Sequence, residues 1–210
     1  MEMSFTQLLT ASLGLVAIVN PLLLLGPFLT ITKDYPDDIR NRTARRVGLV
    51  AFVVMALTAW LGKGVLFFFG LGVPQLQMAA GLVLLLLGVP MFQGPASKVV
   101  PEGSESDPSQ WRSTAVVPLT IPLSVGAGTM AFVITQTVAF PGVRDIAAIT
   151  GVGFAVAVLV ALVLLFAGPI KRVLGNVGVS VLSRIMGILL MALGFGLLTA
   201  GLRELLPGLA

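Results

Sequence analysis

Apolar residues dominate this chain in long runs, and most charged positions fall in the gaps between them. A helix that crosses a bilayer needs about 20 mostly apolar residues. Six runs qualify: 5–31, 47–69, 73–92, 114–138, 146–167 and 181–205. The stretch 64–97 carries no charge but is too long for one crossing. Gly70-Leu71-Gly72-Val73-Pro74 in its middle is a turn signal and divides it in two. The pattern predicts an all-α integral membrane protein with six transmembrane helices.

Composition narrows the chemistry. Of 210 residues, 57% are hydrophobic and 10% charged, against about a quarter charged in a soluble domain. The absence of Cys and His removes thiol redox, zinc ligation by those residues and histidine acid–base chemistry. Glu204, next to the end of the last predicted span, is the one Asp or Glu inside any of them, so a carboxylate proton relay has no chain of residues across the bilayer to run on. A membrane enzyme or electron carrier would have almost no chemical means, and neither a cofactor nor a metal is expected. The balance of 13 basic against 9 acidic residues does not point to nucleic acid, because the cations flank apolar runs as membrane topology requires. Lys33, Arg40, Arg42, Arg45 and Arg46 follow the first run, Lys98 and Arg112 the third, and Lys171, Arg172 and Arg184 the fifth. The positive-inside rule places that side in the cytoplasm and both termini outside. Met1-Glu2-Met3-Ser4 lacks the basic start of a secretory signal, and the uncharged run 3–32 is too long for one, so it reads as a retained span. The linker 93–113, rich in Pro, Ser, Gly and acid, reads as a cytoplasmic tether between halves 1–92 and 114–210.

The halves resemble each other. A shift of 106 residues aligns Gly62 with Gly168, Gly72 with Gly178, Gly81 with Gly187, Leu87 with Leu193 and Gly88 with Gly194 without a gap. Pro21-Leu22 meets Pro122-Leu123 at a shift of 101. Three spans per half is an odd number, so the second copy enters from the opposite face and the repeats are inverted, an arrangement common in secondary transporters. Gly81 and Gly88, and Gly187 and Gly194, lie seven apart on one stripe and read as helix-packing seams.

Spans 1 and 4 are interrupted. Asn20-Pro21 and Pro27 interrupt the first, and Pro118, Pro122, Gly126 and Gly128 the fourth, where Thr120, Ser124 and Thr129 add hydroxyls. Proline removes a backbone donor, and bare backbone is tolerated in a bilayer only inside protein or beside a wet cavity. A helix restarting near Gly128-Thr129 would present free N–H groups suited to a carboxylate. Paired interruptions point to a transport site near the midplane. The alternative is that these residues merely kink ordinary helices, with the hydroxyls bonded to their own backbone. Asn20 either bonds a substrate or ties the broken backbone together. Thr135, Gln136 and Thr137 would sit beyond the break. Gln77 reads as an interhelical hydrogen-bonding residue, and Lys63, between aromatic residues, as a snorkelling cation. Arg184 is either a positive-inside anchor or an anion contact at the inner mouth of the pathway.

Asn20-Pro21, the run Val117-Pro118-Leu119-Thr120-Ile121-Pro122 with Gly126-Ala127-Gly128-Thr129, and Leu182-Ser183-Arg184-Ile185-Met186-Gly187 together resemble the MarC family, also called the small neutral amino acid transporter family. The resemblance covers nearly the whole chain. It departs where the family commonly reads Gly-Pro-Gly-Thr in place of Gly126-Ala127-Gly128-Thr129, and where Leu22-Leu23-Leu24-Leu25 stands after Asn-Pro in place of polar or small residues. It implies a multi-pass protein of the prokaryotic inner membrane, related to LysE-type exporters, that moves small neutral amino acids. The expected partners are the lipid bilayer and a small-molecule substrate, and nothing opposes a homo-oligomer. The resulting expectation is alternating access, with one half rocking against the other and substrate bound by Asn20, Pro21, Thr120, Pro122, Ser124, Gly126, Gly128 and Thr129. A passive channel or exporter, and a scaffold that transports nothing, are the competing readings.

Overall fold

A computed structural model describes residues 3–93, 108–117, 119–121 and 124–206, and the described residues are helical with short connections. The helices are α1 (Phe5–Val19), α2 (Leu25–Ile31), α3 (Asp37–Phe68), α4 (Val73–Gln93), α5 (Trp111–Val116), α6 (Ala127–Ala139), α7 (Val143–Leu165) and α8 (Ala167–Leu205). Four stretches are long and apolar enough to cross a membrane: Asp37–Phe68, Val73–Gln93, Val143–Leu165 and Ser180–Leu205. The runs 5–31 and 114–138 are divided instead, into α1 with α2 and α5 with α6, whose longer members, Phe5–Val19 and Ala127–Ala139, are apolar but short.

Helix boundaries follow local chemistry. α1 opens on a capping box, Ser4 Oγ accepting from Gln7 N and Gln7 Oε1 from Ser4 N. The Met3 amide donates to buried Asp145 Oδ1 at 3.0 Å, fastening this end to the first turn of α7. α3 begins ten residues before the apolar run from 47, so Arg40, Arg42, Arg45 and Arg46 stand on a helix rather than in a loop. Asp37 and Asp38 occupy its first turn, where the helix dipole favours anions, and they pair with Arg40 at 2.9 Å and Arg42 at 3.8 Å. The region of Lys171 and Arg172, expected between spans, is likewise helical. Its 39-residue helix α8 is broken at Gly175, where φ 61 and ψ −179 suit glycine. At 1.5 Å per residue α8 would otherwise extend roughly 58 Å, about twice the hydrocarbon thickness. Gln93 ends α4, and a single 3-10 turn, Pro108–Gln110, leads into α5, so the described ends of the expected linker are helical.

Packing divides the molecule into two hydrophobic clusters. The larger joins α1, α2, α3, α5, α6, α7 and, through Ala167, the start of α8 around Phe28, Val47, Leu119 and Val160. The smaller joins α4 and α8 through Leu84, Met91 and Leu190, with Leu23 from the turn after α1. α4 and α8 run antiparallel along opposed glycines. A Cβ on Gly81 would lie 2.6 Å from the Gly194 carbonyl oxygen, and one on Gly194 would lie 2.8 Å from that of Gly81. Gly88 and Gly187 oppose each other in the same way, at 2.8 Å in both directions. Such contact admits only hydrogen at Cα and brings the backbones together. α3 and α7 also run antiparallel, with Gly48 against Ala157 and Ala161, Gly153 against Met55, and Trp60 Nε1 donating to Thr150 Oγ1 at 3.1 Å. The outer surface is apolar: Phe67 is 86% and Phe68 82% exposed, a pattern that suits hydrocarbon as the surrounding solvent.

Candidate functional site

The first divided run is organised by Asn20. It takes the left-handed conformation (φ 46, ψ 72), which asparagine tolerates better than most side chains, and ends α1. Its amide N–H donates to the Val16 carbonyl at 2.9 Å, and its Oδ1 accepts from Leu23 N at 3.3 Å. Pro21 follows and has no N–H to return to the Ala17 carbonyl one turn back. The Ile18 and Val19 carbonyls fall in the unpaired last turn. Asn20 is 4% exposed, and its Nδ2 is buried without a hydrogen-bond acceptor among the described residues. Both readings of Asn20 therefore have a physical basis: one end of the amide ties the backbone, and the other is uncommitted.

The second divided run carries the hydroxyls. α5 ends at Val116, and helix resumes only at Ala127. Thr120 is fully buried and committed, its Oγ1 donating to the Ala115 carbonyl at 2.6 Å and lying 3.5 Å from that of Val47. Thr129 Oγ1 donates to the Ser124 carbonyl at 3.3 Å. Ser124 differs: it is 2% exposed and its Oγ has no partner among the described residues. Gly126 caps α6 without a side-chain hydrogen bond, so the N–H groups of the first turn, from Ala127 to Thr129, have no intrahelical acceptor and no side-chain cap among the described residues.

These elements meet at a cavity of about 20 Å³ lying where the two hydrophobic clusters touch. Ser124, Gly126, Gly128 and Thr129 supply its polar wall. Ile18 and Leu23 face it from the first break, Leu84 and Met91 from α4, and Leu190 from α8. The volume is room for about one water molecule, so this conformation is closed around the site. Gly128 sets the closure, since a Cβ there would lie 2.7 Å from Leu84 Cδ2. Asn20 and Pro21 are buried but are not part of the lining. Thr120 is outside the lining, and Pro122 lies outside the described residues. Arg184 is on an exposed face of α8 beside Val177, Ser180 and Val181, away from this cavity.

Leu23, Leu84, Met91 and Leu190 were not singled out by the sequence, because a leucine or methionine inside an apolar span carries no mark of which face it takes. Gln77 does what its position suggests. It is buried, its Nε2 donates to Thr135 Oγ1 on α6 at 3.4 Å, and its Oε1 has no partner among the described residues. At the charged end of α3, the Trp111 ring is met by the guanidinium groups of Arg46 (5.8 Å) and of its own neighbour Arg112 (5.4 Å), and Tyr35 Oη lies 3.5 Å from Thr114 Oγ1. These contacts fasten α5 to the α2–α3 corner.

The chain is similar over most of its length to bacterial membrane proteins. It is 30% identical over 203 residues to "UPF0056 membrane protein YhcE" of Escherichia coli K12, covering 94% of this chain and 92% of the relative. It is 30% identical over 210 residues to "UPF0056 inner membrane protein MarC" of Citrobacter koseri, covering 92% and 94%. A 26% identical relative, "UPF0056 membrane protein BU267", occurs in Buchnera aphidicola and matches over 94% of this chain and 92% of its own. No solved structure matches. The model of the MarC family of integral membrane proteins matches residues 5–206, and with that span and these relatives the chain belongs to the MarC family.

Proposed function

We propose that this protein carries small polar metabolites across the membrane by alternating access, with small neutral amino acids as the preferred class. The observation that carries the reading is the buried hydroxyl of Ser124, without a partner among the described residues, beside the first turn of α6, which has no side-chain cap. Leaving such groups dry costs roughly 1–3 kcal/mol each, a penalty that a polar solute would relieve. A substrate carboxylate would meet the amides from Ala127 to Thr129, where the helix dipole favours an anion. Its ammonium would meet the carbonyls at the end of α1, with Asn20 holding that break open.

Inverted three-span repeats fit the packing. The 106-residue shift converts the contact Gly81–Gly194 into Gly187–Gly88, and both contacts occur. That reciprocity is what an internal twofold axis requires. The closest seams join the halves to each other, α4 to α8 and α3 to α7. The moving boundary is therefore assigned to the cavity between the α4–α8 pair and the other helices, instead of lying between one three-span half and the other. Opening there separates Leu84 from Gly128 and leaves both glycine seams intact.

Reconstituted protein should take up labelled alanine and glycine into proteoliposomes, with proton and sodium gradients imposed separately to find a driving ion. Gly128→Leu should abolish uptake while the protein inserts and elutes as the wild type does. Unchanged uptake in that variant would remove the cavity from the pathway. A channel would give flux that does not saturate with substrate.

A further inference from the structure

Beyond that pathway, a second concave feature lies on the outer surface between α3 and α7, a groove of about 230 Å³ with an almost wholly apolar lining. We propose that it binds one anionic phospholipid, with the acyl chain in the groove and the phosphate on Arg45. Its floor is made by small residues, Gly48 from α3 against Ala157 and Ala161 from α7. The rings of Phe52 and Phe154, edge to face at 5.4 Å, line it one to two turns further along. Arg45 and Phe52 are two turns apart on the same stripe of α3, which sets the length of the groove at roughly 10 Å. The groove therefore runs from a cation toward a pair of rings in the apolar part of the helix, the polarity of a lipid with its headgroup outward.

Arg45 is the cation available to it. Its neighbours Arg40 and Arg42 pair with Asp37 and Asp38, and Arg46 lies over Trp111. Arg45 is exposed and makes no ion pair with any described residue. It stands where the charged start of α3 meets its apolar run, the depth at which basic pockets between helices meet phosphate headgroups. A second copy of this chain fits less well, because docking through a twofold axis at this groove would set Arg45 against Arg45.

The test uses the full-length protein in a neutral detergent. It is titrated separately with dioleoyl phosphatidylglycerol and dioleoyl phosphatidylcholine, and adducts are counted by native mass spectrometry. The expected result is one retained phosphatidylglycerol in preference to phosphatidylcholine. Arg45→Gln should weaken it roughly fivefold, Arg45→Lys should hold it as the wild type does, and Arg42→Gln should leave it unchanged. Val158→Phe, which fills the groove from an exposed wall without altering charge, should weaken it as well. Equal retention of the two lipids, equal effects of Arg45→Gln and Arg42→Gln, or a dimer in place of the adduct would overturn the assignment.

Discussion

Asn20 and Ser124 are the two residues at which structure and proposed transport can be separated. Ser124→Ala removes a hydroxyl that has no partner among the described residues, so the folded protein should lose nothing and gain about 1 kcal/mol. The same change should lower alanine uptake. Thermal unfolding in detergent and uptake in vesicles measure the two effects, and a destabilised variant would show that the hydroxyl is structural. Asn20→Ala should cost about 1–2 kcal/mol, because alanine at φ 46 meets the left-handed penalty and loses the bond to Leu23 N. Asn20→Gly keeps the conformation and should recover most of that stability without recovering the side-chain amide. If the two variants unfold alike, the backbone role assigned to Asn20 is wrong. Polar residues in an apolar run stand out in a sequence, and for this reason Asn20, Ser124 and Gln77 could be picked out before any coordinates. Thr120 stands out equally but is spent on the Ala115 carbonyl, and no spacing rule distinguishes it from Ser124.

At the level of helices, the glycine seams and the interruptions have different consequences. Gly81→Val would push a side chain against the Gly194 carbonyl, a backbone atom that cannot rotate away. It should cost at least about 1–3 kcal/mol and reduce the yield of monodisperse protein. Gly151→Ala, on the exposed face of α7 with nothing within 4 Å, should be neutral or stabilise by up to about 1 kcal/mol through helix propensity. Equal yields for the two variants would show that α4 and α8 are not held by this contact. The seams were legible because Gly recurs every seven residues. The extents of α3 and α8 were not. Hydropathy ends a span at its first charges, whereas the backbone ladder continues through Arg46 to Asp37 because water and the headgroup region accept those side chains.

Across the whole molecule, the proposed carrier counts each divided run as one crossing, and on that reading the start of α1 and the 93–113 connection would lie on opposite faces of the membrane. The chain has no cysteine, so Ser4→Cys and Ser104→Cys can be introduced singly. A membrane-impermeant maleimide added to intact cells should label the first, and should label the second only after permeabilisation. The reverse pattern would invert the topology derived from the cation distribution. The pairing of α4 with α8 and of α3 with α7 follows from contacts between distant parts of the chain, which hydropathy along one span does not encode. The central claim is that a solute binds between the α4–α8 pair and the rest of the molecule and is carried across when they separate. Counterflow tests it most directly, using vesicles preloaded with unlabelled alanine and supplied outside with a trace of labelled alanine. A carrier built on this cavity gives a transient accumulation of label above equilibrium, which Gly128→Leu abolishes. Label that merely equilibrates, or an overshoot that survives Gly128→Leu, contradicts the account.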